Sequence, residues 1–206
     1  MTFEDSSSAR FVAIVSGLPR SGTSMMMQML EAGGIPPLTD AIRQADEDNP
    51  RGYYEFEAVK DPGDYSTWIE RAEGKAVKMV YRLLYRLPDT HRYRIVFMTR
   101  PLQEVIASQG VMLERHGKES TTVEDVRLAD LYGKQLSEVK VWLAARPHIS
   151  VFYVDYHDAL HDSARVAEEL NTFFGGALDV DAMRRVPDAA LYRQRKPAEN
   201  AESRSG

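Results

Sequence analysis

The chain predicts an α/β protein, a three-layer parallel sheet with helices on both faces. Three observations point there. Short apolar runs rich in β-branched residues recur along the chain. Helix-forming segments separate them. The runs themselves are unbroken rather than alternating, as expected for strands buried on both faces. At 206 residues the chain suits one domain, since a domain takes about 100–200 residues. A chain of this size can bury a full core.

The elements follow in order. Residues 1–10 are polar and read as a flexible N-terminus. Phe11–Ser16 (FVAIVS) is a buried strand. Gly17-Leu-Pro-Arg-Ser-Gly-Thr-Ser is a turn, and Met25–Glu31 begins a helix that Gly33-Gly34 and Pro36-Pro37 stop. Residues 34–53 are turn-rich and acidic, and a helix is expected within Pro62–Ala72. Ala76–Tyr81 (AVKMVY) and Arg94–Met98 (RIVFM) are the second and third strands. Pro101 suits the first position of a helix running to about Arg115. Thr122–Ala145 reads as a long helix, with Leu128, Tyr132, Leu136, Val139 and Leu143 at helical intervals. Ile149–Val154 (ISVFYV) is the fourth strand, and a helix is expected from about Asp162 to Phe174. The single domain then spans 11–196, and 197–206 is polar enough to be a disordered tail.

Composition narrows the function. The chain is 43% hydrophobic and 28% charged, with a formal net charge of −5. Its pI is about 5.6 and its mean hydropathy −0.41. That balance argues against a general nucleic-acid binder, whose surface would be basic. A small anionic ligand needs only a few placed cations. Without Cys there is no disulfide framework, thiolate metal site or thiol nucleophile. No apolar run approaches the ~18 residues of a membrane span, and the N-terminus lacks a signal-peptide pattern. The expectation is a cytoplasmic protein.

The turn after the first strand is the most informative segment. In open α/β sheets ligands sit at the carboxyl ends of strands. Gly17 and Gly22 have the G-x-x-x-x-G spacing of a phosphate loop. Such a loop aims backbone N–H groups inward and ends at a helix N-terminus, so it holds an oxyanion. The ATP and GTP version continues with Lys, whereas Thr23 stands there and the loop's cation is Arg20. Ordinary Walker-type ATP hydrolysis is therefore disfavoured. Taken alone, Gly17, Pro19 and Gly22 also make a plain tight turn, and Thr23 or Ser24 a plain helix cap. Met25, Met26, Met27 and Met29 read as core packing.

P-R-S-G-T-S after a strand resembles the 5′-phosphosulfate loop of the sulfotransferases, P-[KR]-[ST]-G-T-[ST]. Arg20, Ser21, Gly22, Thr23 and Ser24 match it position by position. The family's 3′-phosphate motif opens with Arg at a strand end and places Ser eight residues on. Arg100 and Ser108 fit it, with Pro101 one place earlier than the usual Arg-Asp/Asn-Pro. Physics independently favours the pair, because a guanidinium takes phosphate bidentately. Val154-Asp-Tyr156-His-Asp-Ala-Leu160 resembles V-x-Y-x-D-L, whose Tyr lies near the adenine. The loop is similar to that of bacterial sulfotransferases beginning GLPRSGTSMM. The resemblance runs from about Phe11 to Phe174.

The resemblance implies a P-loop NTPase-like sulfotransferase fold. It also implies transfer of a sulfuryl group from 3′-phosphoadenosine-5′-phosphosulfate (PAPS), releasing adenosine 3′,5′-bisphosphate (PAP), with no metal. Arg20 and the residues to Ser24 would hold the 5′ group, Arg100 and Ser108 the 3′-phosphate, and Tyr156 would lie near the base. Lys78 matches a strand-end Lys of cytosolic relatives, but Met79 and Val80 replace the Thr-His that follows, so the usual His base is missing. The Trp that often follows the loop is Met25 here. Some relatives use a Glu after the first helix. Among Glu47, Glu55 and Glu57, Glu55 is the expected base, because Tyr54 and Phe56 flank it and could desolvate it. His116 is a further candidate. Leu191–Lys196 (LYRQRK) holds cations, but Pro197 departs from the Arg-Lys-Gly of relatives.

Two signals are discounted. His157 and His161 have metal-helix spacing, but no third ligand can be named. Asp155 mimics a Walker acid without the partnering Lys. The expected activity is sulfuryl transfer to a hydroxyl or amine of a small-molecule, lipid or carbohydrate acceptor. The alternatives are an ATP-using phosphotransferase and a non-catalytic nucleotide-binding protein. A homodimer is compatible with the sequence.

Overall fold

The computed structural model describes residues 11–40, 52–61, 65–115 and 122–187. Its centre is a sheet of strands β1 (Val12–Gly17), β2 (Ala76–Val80), β3 (Tyr93–Thr99) and β4 (Ile149–Asp155). The order across the sheet is β2-β1-β3-β4, and every pairing is parallel. Gly17 lies opposite Val80 on one side and Met98 on the other. The chain thus leaves β1 for β2 and returns on the far side for β3. This reversal opens a crevice at the carboxyl ends of β1 and β3, where open α/β sheets bind ligands.

Parallel strands need crossovers, and helices supply them. They are α1 (Thr23–Ala32), α2 (Ser66–Ile69), α3 (Leu102–Arg115), α4 (Thr122–Ala144), α5 (Tyr156–His161), α6 (Ser163–Phe174) and α7 (Val180–Met183). Alternate strand residues face opposite layers, because successive side chains in a strand point to opposite faces. Val12, Ile14, Tyr93, Ile95 and Phe97 pack with Trp68, Val105, Val139 and Leu143. Ala13, Val15, Val96 and Met98 pack with Met26, Met29, Leu170 and Met183. The expected three layers are present, and the methionines of α1 fill one of them.

The four strand positions agree with the sequence reading to within a residue at each end. The α4 stripe also holds: Val139 and Leu143 are buried, and Tyr132 and Leu136 are partly buried against the same core. The helical elements differ more: α7 and the 3₁₀ turns at Glu57–Lys60 and Tyr81–Arg86 have no counterpart in the sequence reading, and two further elements depart from it. The helix expected within Pro62–Ala72 is cut short to α2 followed by a 3₁₀ turn at Glu70–Ala72. Trp68, Ile69 and Ala72 are drawn into the core there, so burial fixes the turn more than helix propensity does. The second difference is α5, which starts directly at the end of β4. Asp155 accepts a hydrogen bond from the His157 N–H at 2.8 Å and so caps it. Residues 1–10 and 197–206, the basic stretch Leu191–Lys196, Glu47 and His116 lie outside the described residues.

Candidate active site

The loop after β1 is shaped by its own short contacts. Ser21 donates both its backbone N–H (3.2 Å) and its Oγ (2.7 Å) to the Leu18 carbonyl. This closes the turn tightly enough that a Cβ at Gly17 would lie 2.6 Å from Ser21 Oγ and 2.7 Å from the Met98 carbonyl oxygen. Gly22 has φ 92°, and a Cβ there would meet the Tyr156 ring at 2.5 Å. Glycine at 22 therefore serves two ends: a left-handed turn and close approach of another element. Arg20 takes φ 70° without being glycine, a strained conformation of the kind concentrated at functional sites. The first in-helix bond of α1 runs from the Met26 N–H to the Gly22 carbonyl. The amides ahead of Met26 have no acceptor inside the helix, which is the arrangement that holds anions.

The exit of β3 meets this loop. Arg20 Nε donates to Ser108 Oγ at 3.0 Å, and Arg100 Nη1 donates to the Arg20 carbonyl at 3.0 Å. Arg100 lies over the Tyr156 ring, 4.4 Å from its centroid. Its Nε donates to Glu104 Oε2 at 3.0 Å. Burial raises the Tyr156 phenol above its ordinary range, against a smaller opposing pull from Arg100. Arg20, Gly22, Arg100, Ser108 and Tyr156 are thus brought together from three separate segments. Ser21 is beside them, but its amide and hydroxyl are spent on the turn.

A third group stands on the α1 side of β2. Lys78 Nζ is 3.4 Å from Ser24 Oγ and donates to the Tyr53 carbonyl. Ser24 Oγ also reaches that carbonyl at 3.5 Å. Lys78 is on an edge strand by hydrogen-bonding order, yet it points to the loop helix rather than to open solvent. Thr23 opens α1 and is partly exposed.

Glu55 is next to this group in sequence but has a different partner. Its Oε2 accepts from Lys60 Nζ at 3.0 Å, with the side chain 19% exposed. Lys60 also bonds Glu57 at 2.6 Å, and that bond is the main reason its ammonium is held above its ordinary range. Phe56 turns into the core beside Trp68, and the Tyr54 hydroxyl donates to Glu31.

The sequence matches decide the family. The sulfotransferase domain family matches residues 12–203. The chain belongs to that family. Among curated proteins, none matches it. Solved structures agree in fold. A sulfotransferase from Alicyclobacillus acidocaldarius aligns with TM-score 0.51 at 18% identity, over 92% of this chain and 87% of the other. The sulfotransferase domain of the Synechococcus PCC 7002 olefin synthase aligns with TM-score 0.54 at 15% identity, over 91% and 84%. A mouse sulfotransferase complexed with PAP aligns with TM-score 0.51 at 16% identity, over 85% of this chain and 62% of that one.

In this sulfotransferase-family chain two further residues stand at the site: Glu104, and His157, which the sequence offers only as a metal-spacing signal. Glu104 stands four residues after Arg100, the spacing at which opposite charges pair on a helix. His157 Nε2 lies 3.1 Å from both Glu104 oxygens, a contact between distant segments that no local pattern announces. His157 and His161 stack at 6.3 Å, so the two-His spacing marks a ring contact. Among the described residues no group of three or more His, Cys, Asp or Glu is placed to hold a metal ion.

Proposed function

We propose that the chain transfers a sulfuryl group from PAPS to a hydroxyl or amine acceptor and releases PAP. One observation carries this reading: Arg20 bonds Ser108 while Arg100 bonds the Arg20 carbonyl, so two guanidinium groups from two strand exits share one crevice. Beside them stand the N-terminus of α1, the hydroxyls of Thr23 and Ser24, and Lys78. Such a donor set suits an anion carrying phosphate at more than one position. PAPS supplies an activated sulfur whose bond to the 5′-phosphate oxygen breaks as the acceptor bonds to sulfur.

The chain's own residues then have distinct tasks. Arg20 neutralises charge on the leaving oxygen, the largest kind of contribution a fixed cation makes. Thr23, Ser24 and the amides of the loop hold the 5′ group, with Ser21 keeping the loop closed. Arg100 and Ser108 take the 3′-phosphate, and Tyr156 supports Arg100 on the nucleotide side. Lys78 supplies a second cation near the transferred group. Glu55 remains the candidate base, and it must exchange Lys60 for the acceptor's proton. Acceptors of small-molecule, lipid or carbohydrate type remain compatible. Among the described residues no helix is long and apolar enough to cross a membrane.

Two measurements test the proposal. PAP is expected to raise the melting temperature well above any effect of AMP, and equal shifts would overturn the 3′-phosphate assignment. Labelled sulfuryl transfer from PAPS to a panel of phenol, amine and sugar acceptors is expected to persist in EDTA. Mg²⁺-dependent phosphate transfer from ATP, with none from PAPS, would replace the sulfotransferase reading with a kinase.

A further inference from the structure

Arg100 and Glu104 are both buried, each side chain 6% exposed, and they form an ion pair one helical turn apart. A buried charge pair is costly to assemble, because both ions lose water. The site already needs cations to hold an anion, so a carboxylate inside it requires a reason. Its geometry supplies one.

The Arg100 guanidinium is held in three directions. Nε donates to Glu104 Oε2, Nη1 donates to the Arg20 carbonyl, and the plane rests on the Tyr156 ring. A planar fork fixed on one edge and one face has a single orientation. With Glu104 on Nε and the Arg20 carbonyl on Nη1, the plane of the fork is set, and its Nη side is the side that would turn to a phosphate. Glu104 is itself fixed from a second element. His157 Nε2 sits 3.1 Å from each carboxylate oxygen, and Asp155 holds the His157 amide at 2.8 Å. The brace runs from the exit of β3 through α3 to the start of α5.

We propose that Glu104, braced by His157, is a positioning residue that orients Arg100 toward the donor's 3′-phosphate. It thereby sets the preference for a 3′-phosphorylated nucleotide over its 3′-hydroxyl counterpart. This rests on the donor reading above. Glu104 itself touches no nucleotide; it acts through Arg100.

The experiment compares the dissociation constants of PAP and AMP by calorimetry for the intact chain and for Glu104→Gln, Glu104→Asp and His157→Asn. Wild type is expected to prefer PAP. Glu104→Gln should lose about tenfold in PAP affinity, the usual worth of a hydrogen bond to a charged group, with AMP affinity changed less than about twofold. Glu104→Asp should recover part of the loss. With PAPS as donor, KM should rise more than kcat falls. Full retention of the PAP preference in Glu104→Gln would overturn the inference, and so would an equal loss for PAP and AMP. If Glu104→Gln does not fold, His157→Asn decides. It leaves the buried ion pair whole, and it should lower the PAP preference by about threefold, less than loss of the carboxylate itself. An unchanged preference in that variant would overturn the inference. A wild type with no preference for PAP would instead sink the donor reading of the preceding section.

Discussion

At Arg20, backbone and side chain are constrained together. The left-handed φ places its carbonyl on Arg100, while its Nε reaches Ser108. Arg20→Ala is therefore expected to reduce sulfuryl transfer to background while circular dichroism and melting temperature stay near wild type. Full retained activity would refute its role. Glu55 is legible as a carboxylate in the segment after the first helix, but its Lys60 partner is not. The Lys60 contact depends on how residues 55–60 wind into a 3₁₀ turn at Glu57–Lys60. Glu55→Gln should cut turnover at least about tenfold if Glu55 takes the acceptor's proton. An unchanged rate would move the base to Glu57, Glu47 or His116. The loop glycines were readable from spacing alone. Their separate duties were not, since the Tyr156 ring that excludes a Cβ at Gly22 comes from far along the chain.

Among the elements, α5 is one that the chain's local pattern conceals. Six residues are too few for a helical period to stand out, and the preceding strand runs straight into it. Asp155 looked like a metal-binding acid by position, and the structure uses it as a helix cap. Asp155→Ala should cost about 1 kcal/mol of stability by denaturant titration, with Asp155→Asn close to wild type. A neutral alanine variant would refute the capping assignment. α5 also carries Tyr156 and His157, so the alanine variant tests whether the brace on Arg100 depends on a correctly started helix. The α1 terminus works differently. Its cap is Gly22, with no side-chain acceptor, and its first amides are oriented by the loop. A side-chain cap would compete with an anion for those same N–H groups.

For the whole molecule, tyrosines are buried or partly buried around the sheet, and burial keeps their hydroxyls protonated. Burial raises Tyr54, Tyr65, Tyr81, Tyr93 and Tyr156 above the ordinary tyrosine value of about 10. A raised value in the folded state means that folding favours the protonated form. The associated stability is fully present below about pH 10, and is lost as pH rises through the higher folded values. The free energy of unfolding should therefore fall between about pH 10 and pH 11. Tyr93 is the natural probe, since its ring is buried and its hydroxyl donates to the Pro88 carbonyl at 2.8 Å. Tyr93→Phe should flatten that fall, measured by urea unfolding at several pH values. An identical slope in the variant would remove Tyr93 from the account.

The sequence alone determined the class of sheet, the strands, and the two segments on which the proposed anion site rests. Unbroken apolar runs, glycine spacing and the Arg100–Ser108 interval are local features, and local features survive in a linear string. The tertiary structure decided what those segments do to one another. Strand order brought β1 beside β3, so that one arginine could hold the other's carbonyl and a glycine could press on a distant ring. It also buried Glu104 with Arg100 and His157. Such contacts join residues dozens of positions apart, and only the closing of the sheet and its covering helices fixes which of many possible partners each side chain meets.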